Sequence, residues 1–290
     1  MPAADLLSPL FALLRACRVL LHLLYGALLA GFYPHLVPRA QKQVLGRWSR
    51  ELLCILNIKL HIEHPQALPS AGCMLVSNHV SWLDIFVLNA IQPAHFIAKG
   101  EVRHWPLIGW LCQRSGTIFI KRGLRRDTAQ ANRRTKALLE QGAWVALFPE
   151  GTTSDGSGVG HFHSSLMQPA IDTGATLIPV ALRYFDSGGR PCKAAAFTGE
   201  TTLARSIWRV LRRRQIRASV IFTPALSTSA GNRRMLAWAA HDAVARSLHL
   251  LPSEHGRQVH SDQHAGGMAM HSDRPAYGLL LTPTLKRPIN

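Results

Sequence analysis

A histidine and a carboxylate stand close together in residues 75–84, which read Leu-Val-Ser-Asn-His-Val-Ser-Trp-Leu-Asp. An imidazole is the usual side chain for taking a proton near neutral pH. A carboxylate bonded to one ring nitrogen fixes the tautomer and leaves the other nitrogen free as a base. On one continuous helix, at ~100° per residue, His79 and Asp84 would lie roughly 140° apart and could not meet. They meet if the helix starts between them. Ser81-x-x-Asp84 is a capping-box pattern that does this, with Ser81 as N-cap and Asp84 in the first turn, reaching back towards the entering chain. The same residues also fit a plain helix cap beside a polar loop histidine.

The elements around this pair are apolar. Residues 73–76 read as a buried strand, and 82–88 are long enough to open a buried helix, so the pair sits at a junction held on both sides. A second loop, Phe148-Pro149-Glu150-Gly151-Thr152-Thr153-Ser154, follows an apolar run at 143–148. Its glycine, hydroxyls and amides suit an oxyanion or phosphate. Glu150 would repel phosphate, so it fits better as a partner for a hydroxyl or a positioner of a basic residue. Glu-Gly-Thr-Thr also makes an ordinary turn.

Strand-like and helical segments alternate along the chain. Helices are expected at 39–56, 101–114, 127–141, 164–173, 204–217 and 235–251, and further strands at 58–62, 94–98, 116–122 and 177–184. Asp127 or Thr128 would cap the third of these helices and Gly142 would stop it. This alternation predicts an α/β fold, a mixed, largely parallel central sheet flanked by helices. Residues 6–33 are apolar but interrupted by Pro9, Arg15, Arg18 and His22. The cleanest run, 19–33, is shorter than the ~20 residues that cross a bilayer core. One or two membrane-associated helices in one leaflet are expected, with Arg15 and Arg18 snorkelling to phosphates; a single tilted span is the alternative. The domain reading is 1–45 for these helices, 46–251 for the α/β domain and 252–290 for a disordered tail rich in Ser, His, Gly, Asp and Pro.

Lys and Arg outnumber Asp and Glu by 33 to 16, a formal charge of +17. Such an excess favours anionic lipid, acidic proteins, phosphorylated ligands or nucleic acid. No aromatic platform or nucleic-acid motif accompanies it, so no nucleic acid is expected as partner. The five cysteines have neither disulfide-framework nor metal spacing and read as buried free thiols. The tail histidines His255, His260, His264 and His271 are too widely spaced for a metal site, and none is expected. No Gly-x-Ser-x-Gly elbow supports a hydrolase.

Four blocks carry a resemblance: Asn78-His79-x-Ser81-Trp82-x-Asp84, Gly116-x-Ile118-Phe119-Ile120-x-Arg122, Phe148-Pro149-Glu150-Gly151-Thr152 and Ile178-Pro179-Val180. In order and spacing they resemble the glycerolipid acyltransferase family that includes bacterial 1-acyl-glycerol-3-phosphate acyltransferases. The resemblance covers about residues 72–184, and the sheet-forming pattern extends it to 225. It implies transfer of an acyl group from an acyl carrier protein or coenzyme A thioester to the hydroxyl of a lysophospholipid, in or on the cytoplasmic face of a membrane. His79 would be the base and Asp84 its orienting carboxylate, with Asn78 and Ser81 in support. Arg122, Glu150, Gly151 and Thr152 would bind the acceptor, and Pro179 would shape the acyl side. No bound cofactor or metal is implied beyond the acyl carrier. Many members that use lysophosphatidic acid carry an arginine after Glu-Gly-Thr, where this chain has Thr153, and Lys121 stands where an acidic or small residue is common. Lyso-ornithine lipid or another lysolipid is therefore an alternative acceptor. A basic membrane-bound scaffold without catalysis is the alternative from another class. The arginine-rich 204–217 helix would serve an anionic membrane, an acidic carrier protein, or only the solvent.

Overall fold

The computed structural model describes residues 6–65, 68–69, 72–121, 124–229 and 231–249. The tail expected at 252–290 and Arg122 lie outside them. Eight α-helices and seven strands are found among the described residues. The helices are α1 (Pro9–Phe32), α2 (Pro38–Ile55), α3 (Leu83–Ile91), α4 (Ile108–Arg114), α5 (Arg125–Glu140), α6 (Gln168–Thr173), α7 (Leu203–Leu211) and α8 (Arg233–His249). The strands are β1 (Ile58–Glu63), β2 (Met74–Ser77), β3 (His95–Lys99), β4 (Ile118–Ile120), β5 (Val145–Leu147), β6 (Leu177–Asp186) and β7 (Ile216–Phe222).

The strands form one sheet in the order β1-β7-β6-β2-β5-β3-β4. Every pairing is parallel except β6 with β7, so the expected mixed, largely parallel sheet is the one observed. Alternation along each strand divides the core in two. Leu75, Ala146, Ile178, Val180 and Leu182 face the layer of α2, α3 and α7. Met74, Val76, Val145, Leu147 and Ala181 face α6 and α8. Both faces are covered, which is why the central strands read as unbroken apolar runs.

Several expected boundaries move. The helix expected at 101–114 is a 3-10 turn (Gly100–His104) and the separate α4. Pro106 has no N–H to donate and disfavours helical geometry before it, and Leu107 takes a positive φ of 60°. The helix expected at 164–173 likewise divides into a 3-10 turn and α6. Asp127 lies in the first turn of α5 rather than at its cap, which is Leu124. Helix α7 ends at Leu211, and Arg217 belongs to β7, paired with Lys59 and Phe185. Two of the five thiols, Cys17 and Cys54, are exposed rather than buried.

The N-terminal apolar stretch is one continuous helix. Together with the 3-10 turn after it, Pro9–His35 is long and apolar enough to cross a membrane. Arg15 does not snorkel. It donates to the carbonyl oxygens of Leu211 (3.4 Å), Arg213 (2.6 Å) and Arg214 (3.3 Å), which close the end of α7. His22 is buried on α2, with Nε2 3.0 Å from Trp48 O and its ring stacked on the Trp48 indole at 5.0 Å. Helices α1 and α2 come close enough there that a Cβ at Gly26 would lie 2.6 Å from the indole. The other face of α1 is bare, with Leu21, Leu28 and Phe32 exposed by 65%, 70% and 72%. Helix α2 runs without a break through the boundary expected at 45/46.

Candidate active site

His79 and Asp84 meet at the carboxyl end of β2. Nδ1 of His79 lies 2.8 Å from Oδ2 of Asp84. The same oxygen accepts from Val80 N at 2.7 Å and Ser81 N at 2.9 Å. The carboxylate thus reaches back over the first turn of α3, as half of a capping box. The other half is absent. Ser81 Oγ is buried and makes no hydrogen bond among the described residues, and the residue at the N-cap is Trp82. Ser81 serves through its backbone N–H, not its hydroxyl.

The remaining oxygen, Oδ1 of Asp84, accepts from the Tyr184 hydroxyl at 2.6 Å. Asp84 is fully buried and has four donors. Such a carboxylate is held in one orientation, and with its backbone donors fixed it keeps the proton of His79 on Nδ1. Burial, and then the neighbouring charge of Asp84, pushes the Tyr184 phenol well above its ordinary range, so it remains a donor. Sequence reading missed Tyr184. The signal for it was the alternation of β6: Ile178, Val180, Leu182 and Tyr184 share the face that packs on α3.

The imidazole is fixed on its other sides too. Its ring stacks on Phe148 with centroids 4.1 Å apart and an interplanar angle of 9°. His79 O accepts from Ser154 N at 2.7 Å, and His79 N donates to Glu150 Oε1 at 2.9 Å. Glu150 Oε2 accepts from Gly160 N at 3.1 Å. Both oxygens of Glu150 are therefore occupied by backbone N–H groups, and the residue positions the histidine that precedes α3. Burial raises its pKa against these two hydrogen bonds. Asn78, also fully buried, binds Leu182 through both side-chain atoms, donating to its O at 3.0 Å and accepting from its N at 2.8 Å. This side chain continues the β2–β6 ladder one step past Ser77. Pro179 is buried within β6, opposite Val76, and its carbonyl accepts from Thr223 N and Oγ1. It is not among the residues that line the groove beside His79.

His79, partly exposed, opens onto an apolar groove of about 430 Å³. Its Nε2 forms no hydrogen bond among the described residues. The groove runs from Gly151, Thr152 and Thr153 beside the imidazole, past Phe86 of α3, to Leu23 and Leu29 of α1. Lys99, at the end of β3, also lines it. Thr153 is turned away from an acceptor role, its hydroxyl donating to Phe197 O. Sites outside the carboxyl ends of parallel strands are the rule in open α/β sheets; His79 and Glu150 follow strands at that edge, and Lys99 ends one.

Gly160 offers a direct test of the Glu150 contact. A Cβ there would lie 2.7 Å from Glu150 Oε2, and the backbone φ is not in the left-handed region. Gly160→Ala is expected to move the carboxylate off His79 N and lower turnover about tenfold, ~1.4 kcal/mol of barrier, with little change in either substrate's KM. Unchanged turnover would remove Glu150 from the machinery.

Comparison with known proteins places these features in a common context. The family profile described as Acyltransferase matches residues 59–183. The chain is 34% identical over 211 residues to the 1-acyl-sn-glycerol-3-phosphate acyltransferase of Neisseria meningitidis serogroup B, covering 73% of this chain and 81% of that protein. It is 35% identical over 207 residues to the lyso-ornithine lipid O-acyltransferase of Pseudomonas aeruginosa, covering 71% and 79%. The crystal structure of the 1-acyl-sn-glycerophosphate (LPA) acyltransferase of Thermotoga maritima has the same fold, with a TM-score of 0.57 at 19% identity, over 81% of this chain and 96% of that one.

Proposed function

The chain belongs to the acyltransferase family, and on that premise we propose that it moves a fatty acyl group from an acyl thioester to the free hydroxyl of a lysophospholipid. The observation that carries this reading is the His79–Asp84 pair, its carboxylate buried and its imidazole facing an apolar groove. In the proposed step Nε2 of His79 takes the hydroxyl proton as the oxygen attacks the thioester carbonyl. The C–S bond breaks, and the proton passes from the imidazolium to the leaving sulfur. Asp84 stabilises the imidazolium in between. The acyl thioester is already activated, so no acyl-enzyme is required. The donor is acyl carrier protein or coenzyme A thioester, and the enzyme needs no other cofactor.

The acceptor we favour is 1-acyl-glycerol-3-phosphate, the substrate named for the Neisseria relative. Lyso-ornithine lipid is the second reading. It is supported by Thr153, whose hydroxyl is taken by Phe197 O and which supplies no cation to a phosphate, and by the Pseudomonas relative. Incubation with an acyl thioester and a panel of lysolipids, read by thiol release and product mass, tests both readings. Thiol release dependent on one acceptor supports transfer and identifies it, whereas no release with any acceptor would favour the scaffold reading.

Arg122, which follows β4, is proposed to hold the acceptor's anionic head group with Gly151 and Thr152. Arg122→Ala should raise the acceptor KM at least about tenfold while leaving that for the thioester nearly unchanged, because a ground-state ion pair is lost. Equal effects on both would make it a surface residue.

The enzyme is proposed to work at the cytoplasmic face of a membrane, where acyl thioesters are made, with the bare face of α1 in lipid. The exposed Arg205 and Arg209 of α7 add a charged contribution, and the exposed Trp208 beside them an apolar one. Washing membranes with high salt should leave the full-length protein bound, since apolar burial is not screened. Complete release by salt would make the attachment purely electrostatic.

A further inference from the structure

A second cavity, of about 480 Å³, opens at the other edge of the sheet, where β3 and β4 begin. Tyr33, His95, Trp110, Gln113, Arg114 and Arg134 line it. None of its described lining residues is a carboxylate. Among the described residues neither arginine is in an ion pair. Arg114 is steadied by stacking, with its guanidinium 5.5 Å above the Trp110 ring. Burial pushes the His95 imidazole below its ordinary range, although the hydrogen bond with Gly116 O favours its proton. Arg134 and Lys42 push it further down. The same positive potential that disfavours a proton on His95 attracts an anion.

The surroundings indicate which anion. Tyr33 and Ser115 line both this cavity and the far end of the apolar groove. Phe32 and Val37, on either side of the 3-10 turn, project into solvent, and Trp110 is partly exposed. Tyrosine, tryptophan and cations at the end of a bare apolar helix make the composition of a membrane-interface belt. Guanidinium pairs with phosphate oxygens in bidentate geometry.

We propose that this cavity is a second lipid site, which takes the phosphate of an anionic glycerophospholipid between Arg114 and Arg134 and leaves its acyl chains along the apolar surface of α1. The site meets the far end of the His79 groove at Tyr33 and Ser115, but neither arginine lines that groove, and it does not depend on the acyl-transfer reading.

The test compares the full-length protein in detergent with an Arg114→Ala/Arg134→Ala double variant. Each is titrated with phosphatidylglycerol or phosphatidylcholine of the same chain length, and lipid adducts are counted by native mass spectrometry. The wild type should retain one phosphatidylglycerol more tightly than phosphatidylcholine, and the double variant should lose that preference by at least about tenfold in apparent affinity. Both side chains are exposed, so the variant should unfold at the wild-type temperature and keep its turnover on micellar substrate. Equal retention of the two lipids, or an unchanged preference in the variant, would overturn the proposal. Displacement by inorganic phosphate at concentrations matching the lipid would overturn the lipid assignment and make the ligand a soluble phosphate.

Discussion

His79→Ala is expected to lose about 10²–10⁴-fold in turnover, roughly 3–5 kcal/mol of barrier, while melting close to the wild type. The side chain sits at the edge of the groove, and the backbone contacts that shape its loop, from Glu150 and Ser154, do not involve the imidazole. Alanine therefore keeps the loop and removes the base. What it forfeits in stability is the stacking on Phe148 and one of the four hydrogen bonds to Asp84. Ser81→Ala is the companion measurement. The hydroxyl is buried and has no hydrogen-bond partner among the described residues, so its removal should move neither rate nor melting temperature appreciably, whereas a true N-cap would cost about 0.5–2 kcal/mol of stability. Wild-type turnover in His79→Ala would sink the mechanism.

Asp84→Asn should lose about 10²–10⁴-fold in turnover as well, and its cause is separable. In many catalytic triads an amide in place of the carboxylate presents its NH₂ to the histidine and traps the wrong tautomer. That escape is closed here. Oδ2 faces Val80 N, Ser81 N and His79 Nδ1 together, so the amide oxygen must take that side. The NH₂ then points at Tyr184, whose hydroxyl turns from donor to acceptor. Geometry and tautomer survive, and the negative charge that stabilises the imidazolium is lost. Stability should fall by about 1–3 kcal/mol, because hydrogen bonds to an ion become neutral ones. Activity near the wild type in a folded Asp84→Asn protein would mean that the carboxylate only orients. Tyr184→Phe, which leaves the charge but frees Oδ1, should fall between the wild type and Asp84→Asn.

The chain declares its sheet openly. Unbroken apolar runs at 74–76, 145–147 and 177–182 are what strands covered on both faces require, and the pair at 79 and 84 follows from where α3 must start. Atom-level partners were harder to read. A capping-box pattern does not say whether the serine hydroxyl or only its N–H is used, and at Ser81 it is the N–H. The Arg15 side chain looked like an interruption of an apolar helix because the carbonyls it serves lie almost two hundred residues on. Tyr184 is a hundred residues from its carboxylate, and only the strand's alternation hinted at it. Pro106 breaks the helix expected at 101–114, because it has no N–H to donate and disfavours helical geometry before it. The arginine run at 212–217 hid a change from helix to strand, since charge has no period of its own.

Helix α1 has the character of an anchor, yet Val19, Leu23, Gly26 and Leu29 are also one wall of the groove beside His79. One helix therefore offers both an apolar face long enough for a membrane and a wall of the groove. Trimming the first thirty-odd residues to obtain a soluble enzyme would yield a slot with an open side, and detergent tails that solvate the bare face of α1 would find a continuous path into it. Gly26 marks the seam. With 2.6 Å between a Cβ there and the Trp48 indole, which also lines the groove, any larger side chain must displace the indole or part the two helices. Exchanging α1 would accordingly exchange one wall of the groove beside His79 as well.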